Sequence, residues 1–129
     1  MVRKMKIKVV VGFVFKNEKL VLIKHKRKNM WLPVGGHVEE GETDKEALLR
    51  EIKEELNIEV EVLQKPFFIL EEPNETTSHF ICLYKSGEVE INSDEIIDYK
   101  FFTKKEIIKS KLDEQVKSIS LDAFKNFGR

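Results

Sequence analysis

Cysteine is almost absent from this chain. Cys82 stands alone in 129 residues, so no internal disulfide can staple the fold. It lies in the apolar run His79-Phe80-Ile81-Cys82-Leu83-Tyr84, where core packing is its expected role. Net charge is missing too, because 23 Lys and Arg balance 23 Asp and Glu. With no overall field to draw the protein onto nucleic acid or an anionic membrane, neither partner is expected, and phosphate recognition must be local. No run approaches the roughly 20 apolar residues that span a bilayer. The basic start Met1-Val2-Arg3-Lys4-Met5-Lys6 leads into an apolar stretch, Ile7 to Phe15, that Lys8 interrupts and that has no small-residue cleavage site. A cytoplasmic location is therefore expected. Repeats and low-complexity linkers are also lacking, so one domain over residues 1–129 is expected.

Apolar residues make up 41% of the chain and charged residues 36%, which suits a packed core inside a densely charged exterior. Ile7 to Phe15 and Lys19 to Lys24 are rich in β-branched and aromatic residues on either side of Asn17-Glu18, and read as a hairpin. Pro33, Gly35 and Gly36 in Trp31-Leu32-Pro33-Val34-Gly35-Gly36 forbid an ordinary helix and predict a shaped loop. Thr43 to Leu56 is the best helix, opened by the capping box Thr43-Asp44-Lys45-Glu46 and stopped by Asn57, a residue that tolerates the left-handed conformation. Leu48, Ile52 and Leu56 form its buried stripe. Ile58 to Leu63, Phe67 to Leu70, His79 to Lys85 and Ile97 to Phe102 read as strands. A second capping box at Thr103-Lys104-Lys105-Glu106 and the stretch Leu112 to Phe127 read as closing helices. The pattern is that of a layered α/β fold.

The chemistry concentrates in Gly36-His37-Val38-Glu39-Glu40-Gly41-Glu42 and in Arg50-Glu51-Ile52-Lys53-Glu54-Glu55, seven residues further on. At 100° per residue Glu51, Glu54 and Glu55 span an arc of about 100° beside the apolar stripe, which puts them at the border of the core. Like charges so placed repel, and more strongly when partly desolvated. Arg50 and Lys53 offset part of that charge, and a hard cation with oxygen ligands does so better. Carboxylates facing a Gly-rich loop also leave coordination positions for phosphate oxygens, a layout suited to phosphoryl transfer.

At these residues the sequence resembles the box of the MutT-like Nudix hydrolases: Gly, five residues, Glu, seven residues, then Arg-Glu-aliphatic-any-Glu-Glu-any-Gly-aliphatic. Gly36, Glu42, Arg50, Glu51, Ile52, Glu54, Glu55 and Ile58 all fall on its fixed positions. The one departure is Asn57, where the family has Gly, and Asn is the next-best residue for a left-handed helix stop. The resemblance implies the Nudix fold, an α/β/α sandwich around a mixed β-sheet. It also implies Mg²⁺-dependent cleavage of the diphosphate in a nucleoside diphosphate derivative, with Mn²⁺ as a possible substitute and a metal-activated water as nucleophile.

The implied roles follow residue by residue. Glu51, Glu54 and Glu55 match the metal-binding glutamates, and the Gly36 carbonyl matches a backbone ligand of some members. Members differ in where the general base lies, and the resemblance leaves Glu54 or Glu51 as candidates to accept the proton of the attacking water. Arg50 resembles the arginine that orients a metal-binding glutamate, and Glu42 the glutamate that supports loop and helix. Glu95 stands where many members carry an extra carboxylate that serves as metal ligand or base, against the plainer reading of an exposed acidic turn. Arg27, beside Lys24 and Lys26, lies where some members place a cation on substrate phosphate. Gly35, Gly36 and His37 would line the phosphate path, with a loop hydrogen bond the alternative for His37. His25 and His79 read as structural. Phe13, Trp31, Phe68 and Phe80 are candidates for core packing before base stacking.

Substrate marks lie downstream of the box. Pro73, fifteen residues after Ile58, has the spacing associated with ADP-ribose members, while no tyrosine marks the dinucleoside polyphosphate class. A compact chain looks like the nucleoside triphosphate pyrophosphohydrolases, which rank first as an expectation. ADP-ribose or a nucleotide sugar ranks next. A non-catalytic nucleotide-binding module on the same fold is the rival from another class, and such modules commonly lose box glutamates that are all present here.

Overall fold

The computed structural model describes residues 6–128, so only Lys6 of the basic start falls within it. Among the described residues the elements run β1 (Ile7–Lys16), β2 (Lys19–His25), β3 (Trp31–Leu32), β4 (Val34–His37), α1 (Asp44–Leu56), β5 (Glu59–Val62), β6 (Phe68–Glu71), β7 (Glu75–Ser86), β8 (Ile96–Phe102), α2 (Lys104–Lys109) and α3 (Glu114–Phe127). The hairpin expected at Asn17-Glu18 is present. Both residues have positive φ, 51° and 62°, and Lys16 pairs with Lys19 across a two-residue turn that matches the twist of the flanking strands.

β1 organises the sheet. It runs antiparallel to β2 and β4 and parallel to β7. β5 and β6 add antiparallel to β7, while β3 and β8 add antiparallel to β2, so the sheet is mixed. Strand alternation then sorts side chains into two cores. Val10, Val14, Val21 and Ile23 face α1 and pack with Leu48, Ile52 and Leu56, each of these three helix residues fully buried. Phe13, Phe15, Leu20 and Leu22 face the other way and pack with Ile107 of α2 and Ala123 of α3. Helices on both faces make the α/β/α sandwich. Among the described residues no helix is long and apolar enough to cross a membrane.

Three boundaries differ from the sequence reading by more than one residue. The stretch expected as a loop at Trp31 to Gly36 is two short strands, β3 and β4, divided at Pro33, because Val34 to His37 pair with β1. β7 starts at Glu75 rather than His79, and its polar opening Glu75-Thr76-Thr77-Ser78 pairs with both β1 and β6. Such a segment carries no apolar signal, and only its partners make it a strand. α3 starts at Glu114 rather than Leu112, since the Asp113 carboxylate accepts from the backbone N–H groups of Gln115 and Val116.

Candidate active site

α1 is fixed at both ends. Thr43 Oγ1 accepts from Glu46 N–H while Glu46 reaches back to Thr43 N–H, which completes the capping box. Asn57 ends the helix at φ 60°, ψ 32°, in the left-handed region expected of it. The helix lies against β4, and two close approaches leave no room for side chains at Gly35 and Gly36. A Cβ on Gly36 would stand 2.4 Å from Cδ of Glu51, and one on Gly35 only 2.3 Å from the carbonyl oxygen of Val10. Glycine therefore admits the Glu51 carboxylate at position 36 and the β1 backbone at position 35.

Arg50 holds the loop to the helix. Its Nε and Nη2 donate to the two oxygens of Glu42 at 2.7 and 2.9 Å, and Nη2 also donates to the His37 carbonyl at 3.1 Å. Nη1 donates to Glu51 at 2.9 Å and lies 3.5 Å from Glu54. This fork is a bidentate clamp. The guanidinium hydrogen bonds, helped by the Glu39 backbone N–H, hold the Glu42 carboxyl at about 2. Glu51 moves the other way: desolvation raises its pKa, outweighing the pull of Arg50.

Glu55 has no such partner. Its Oε2 is buried without a hydrogen bond, and burial, reinforced by the charges of Glu51, Glu95 and Glu54, pushes its carboxyl up to about 7. Glu54 is more open, its side chain 59% exposed. Glu95 thus belongs to the same electrostatic neighbourhood as Glu55. Its loop is pinned by a 2.7 Å hydrogen bond from Lys26 N–H to the Glu95 carbonyl. Lys26, Arg27, Asp94 and Glu95 line a cavity of about 420 Å³. The tertiary structure therefore brings Arg27 and Glu95, 68 residues apart in sequence, to the lining of one cavity.

Not every candidate converges. The exposed His37 lines a different cavity, of about 680 Å³, with Lys8 and the loop residues Val38 to Glu42, and its backbone carbonyl rather than its ring serves Arg50. Phe13 and Phe80 are core residues, as expected, at 1% and 4% exposure. Trp31 packs edge-on against Phe102, and Phe68 lies over His79. His79 is structural, its Nδ1 hydrogen-bonded to the Phe68 carbonyl. Glu39 is the residue the sequence reading passed over: its carboxylate stands 3.7 Å from Arg50 Nη1. Its only sequence signal is the spacing of three residues to Glu42.

The donor set suits a hard divalent cation, since every candidate is an oxygen and the buried Glu55 oxygen lacks a partner. Among the described residues no three His, Cys, Asp or Glu side chains form a ready-made cage. Mg²⁺ does not need one, because it commonly takes one or two carboxylates and completes its shell with waters and phosphate oxygens.

The model of the NUDIX domain matches residues 5–124. The chain belongs to the Nudix hydrolase family. Among curated Nudix relatives, an NAD-capped RNA hydrolase of Vibrio vulnificus is 31% identical over 100 residues, taking in 73% of this chain and 37% of that protein. A Nudix hydrolase of Deinococcus radiodurans is 43% identical over 53 residues, 40% of this chain and 31% of the relative. The chain thus spans less than two-fifths of the length of these relatives. Among solved structures, a NUDIX-family hydrolase from Clostridium perfringens superposes with a TM-score of 0.83 at 21% identity, covering 94% of this chain and 97% of that one. An ADP-ribose pyrophosphatase from Streptococcus suis gives 0.77 at 22%, covering 97% and 93%. These likenesses establish the Nudix fold.

Proposed function

We propose that this chain hydrolyses the diphosphate of a nucleoside diphosphate derivative in a Mg²⁺-dependent reaction, with a (deoxy)nucleoside triphosphate as substrate. The observation that carries the reading is Glu55, a carboxylate with an unpartnered buried oxygen and a pKa near 7 among three other acids. Such a group is costly unless a cation serves it. Glu51 and Glu55 are the side chains that would hold the ion, with Glu54, Glu95 and the Gly36 carbonyl as further oxygen donors. Bound there, Mg²⁺ supplies charge neutralisation on the phosphate oxygens and makes a water acidic enough to attack.

The protein's own groups do the rest. Arg50 orients Glu51, and Glu42 fixes Arg50. Glu54 is the most exposed of the three helix carboxylates and the one we assign to accept the proton of the attacking water. Glu51, engaged by Arg50, is the alternative base. Arg27 and Lys26 supply positive charge for phosphates beyond the scissile linkage, while Gly35 and Gly36 let the backbone approach closely. All box carboxylates are present, which favours catalysis over a binding-only module.

Pro73 lies in the β6–β7 turn and gives ADP-ribose a specific claim as second reading. A Mg²⁺-dependent hydrolysis screen over nucleoside triphosphates, ADP-ribose, nucleotide sugars and dinucleoside polyphosphates tests both. Nucleoside monophosphate with pyrophosphate from a triphosphate is the expected product pair. AMP with ribose 5-phosphate selects the second reading. Binding without turnover across the panel, with Mg²⁺ and Mn²⁺ alike, refutes the hydrolase assignment.

A further inference from the structure

β8 is an edge strand. Its seven residues pair with β2 on one side, and among the described residues no strand pairs with the other. Four consecutive residues, Ile97 to Lys100, are exposed, and Ile97 at 53% is the most open large apolar side chain among the described residues. Such an edge presents unpaired backbone N–H and C=O groups to any strand that matches it. Solitary edges are commonly blunted by charge, yet here the two charges, Asp98 and Lys100, are of opposite sign.

The order of side chains fits a second copy of itself. Alternation puts Ile97, Tyr99 and Phe101 on the face turned toward α1, where Phe101 packs against the core and Tyr99 meets Phe101 edge-on. Asp98 and Lys100 lie on the opposite face. Facing residues of an antiparallel pair share a face of the sheet, so a two-fold axis between two copies of β8 must pass at a residue. An axis at Asp98 or Lys100 opposes like charges, which is destabilising. An axis at Ile97 or Phe101 sets Asp98 against Ile96 or Lys100 against Phe102. Centred on Tyr99, the pairing sets Asp98 against Lys100 and Ile97 against Phe101 in both directions. The flanks agree with that direction. Exposed Asp94 and Glu95 precede the strand and exposed Lys104 and Lys105 follow it, so antiparallel copies bring each acidic end to a basic one. Lys100 lies 3.6 Å from Glu106 in its own chain, an exposed contact weak enough to share the ammonium.

We propose that two copies of this chain associate through β8, antiparallel about a two-fold axis at Tyr99, and so join their sheets into one.

Sedimentation analysis of the full chain over a range of concentrations tests this. The parent should show a reversible equilibrium between monomer and dimer. Asp98→Lys and Lys100→Asp should each weaken it by about tenfold or more, since like charges then oppose at two symmetry-related positions. Both positions are exposed, so the melting temperature of the dilute protein should change little. Mixed together, the two variants should form a one-to-one heterodimer, because each charge then meets its opposite. A parent that stays monomeric at every concentration overturns the proposal. So does a dimer that neither substitution weakens, which places the contact elsewhere. Variants that are weakened alone yet do not pair when mixed overturn the register centred on Tyr99. If one variant does not fold, a chain carrying Asp98→Lys together with Lys100→Asp replaces the mixture: it should dimerise like the parent, and failure to do so overturns the register.

Discussion

The carboxylate of Glu51 occupies the space that a side chain on residue 36 would fill: a Cβ there would stand 2.4 Å from its Cδ. Gly36→Ala therefore collides with the end of a flexible side chain, whereas Gly35→Ala collides with the backbone of β1. Gly36→Ala should stay folded, with a stability loss below about 1 kcal/mol, yet lose hydrolysis by roughly 10² or more as Glu51 is displaced. Gly35→Ala should cost about 2 kcal/mol or more, since the sheet must shift. Denaturant melts of both variants, set beside turnover, check the contrast. Equal stability losses would show that the two contacts are not distinct.

Glu55 makes stability depend on pH. Its folded pKa near 7 lies above the ordinary 4.5, so the neutral form is the favoured one. That contribution is fully present below about pH 4.5 and is lost as pH rises through 7. In metal-free buffer the parent should lose stability between pH 5 and 8, and Glu55→Gln should not share this loss. At pH 8 the variant should melt higher than the parent, and at pH 4.5 at the same temperature. Added Mg²⁺ at pH 8 should stabilise the parent more than the variant. Thermal melts across this range settle the sign.

Arg27 shares its cavity with Lys26, Asp94 and Glu95. Arg27→Ala should raise KM more than it lowers kcat on the best substrate, the mark of lost ground-state binding to phosphate. Unchanged kinetics would remove Arg27 from the site.

Asn57 sits at φ 60° where the box has glycine. Asn57→Gly should leave turnover intact and change stability by less than about 1 kcal/mol, because relief of left-handed strain is offset by added unfolded-state entropy. A tenfold loss of kcat would mean that Asn57 does more than end the helix.

Features that depend on neighbours along the chain were legible in the residue order. The capping box at Thr43, the stripe of Leu48, Ile52 and Leu56, the stop at Asn57 and the turn at Asn17-Glu18 are all local, and each stands in the structure as read. The spacing of Gly36, Glu42, Arg50 and Glu51 also marked the family, because helix geometry converts that spacing into a shared face. Other features were decided only by tertiary contacts. The polar start of β7 becomes a strand because β1 and β6 pair with it. Arg27 and Glu95 line one cavity because Lys26 N–H bonds to the Glu95 carbonyl across two loops. The three box glutamates look alike in sequence, yet Arg50 engages Glu51, solvent reaches Glu54, and burial leaves Glu55 without a partner. Desolvation and pairing depend on what packs around each carboxylate, and periodicity along the chain does not encode them.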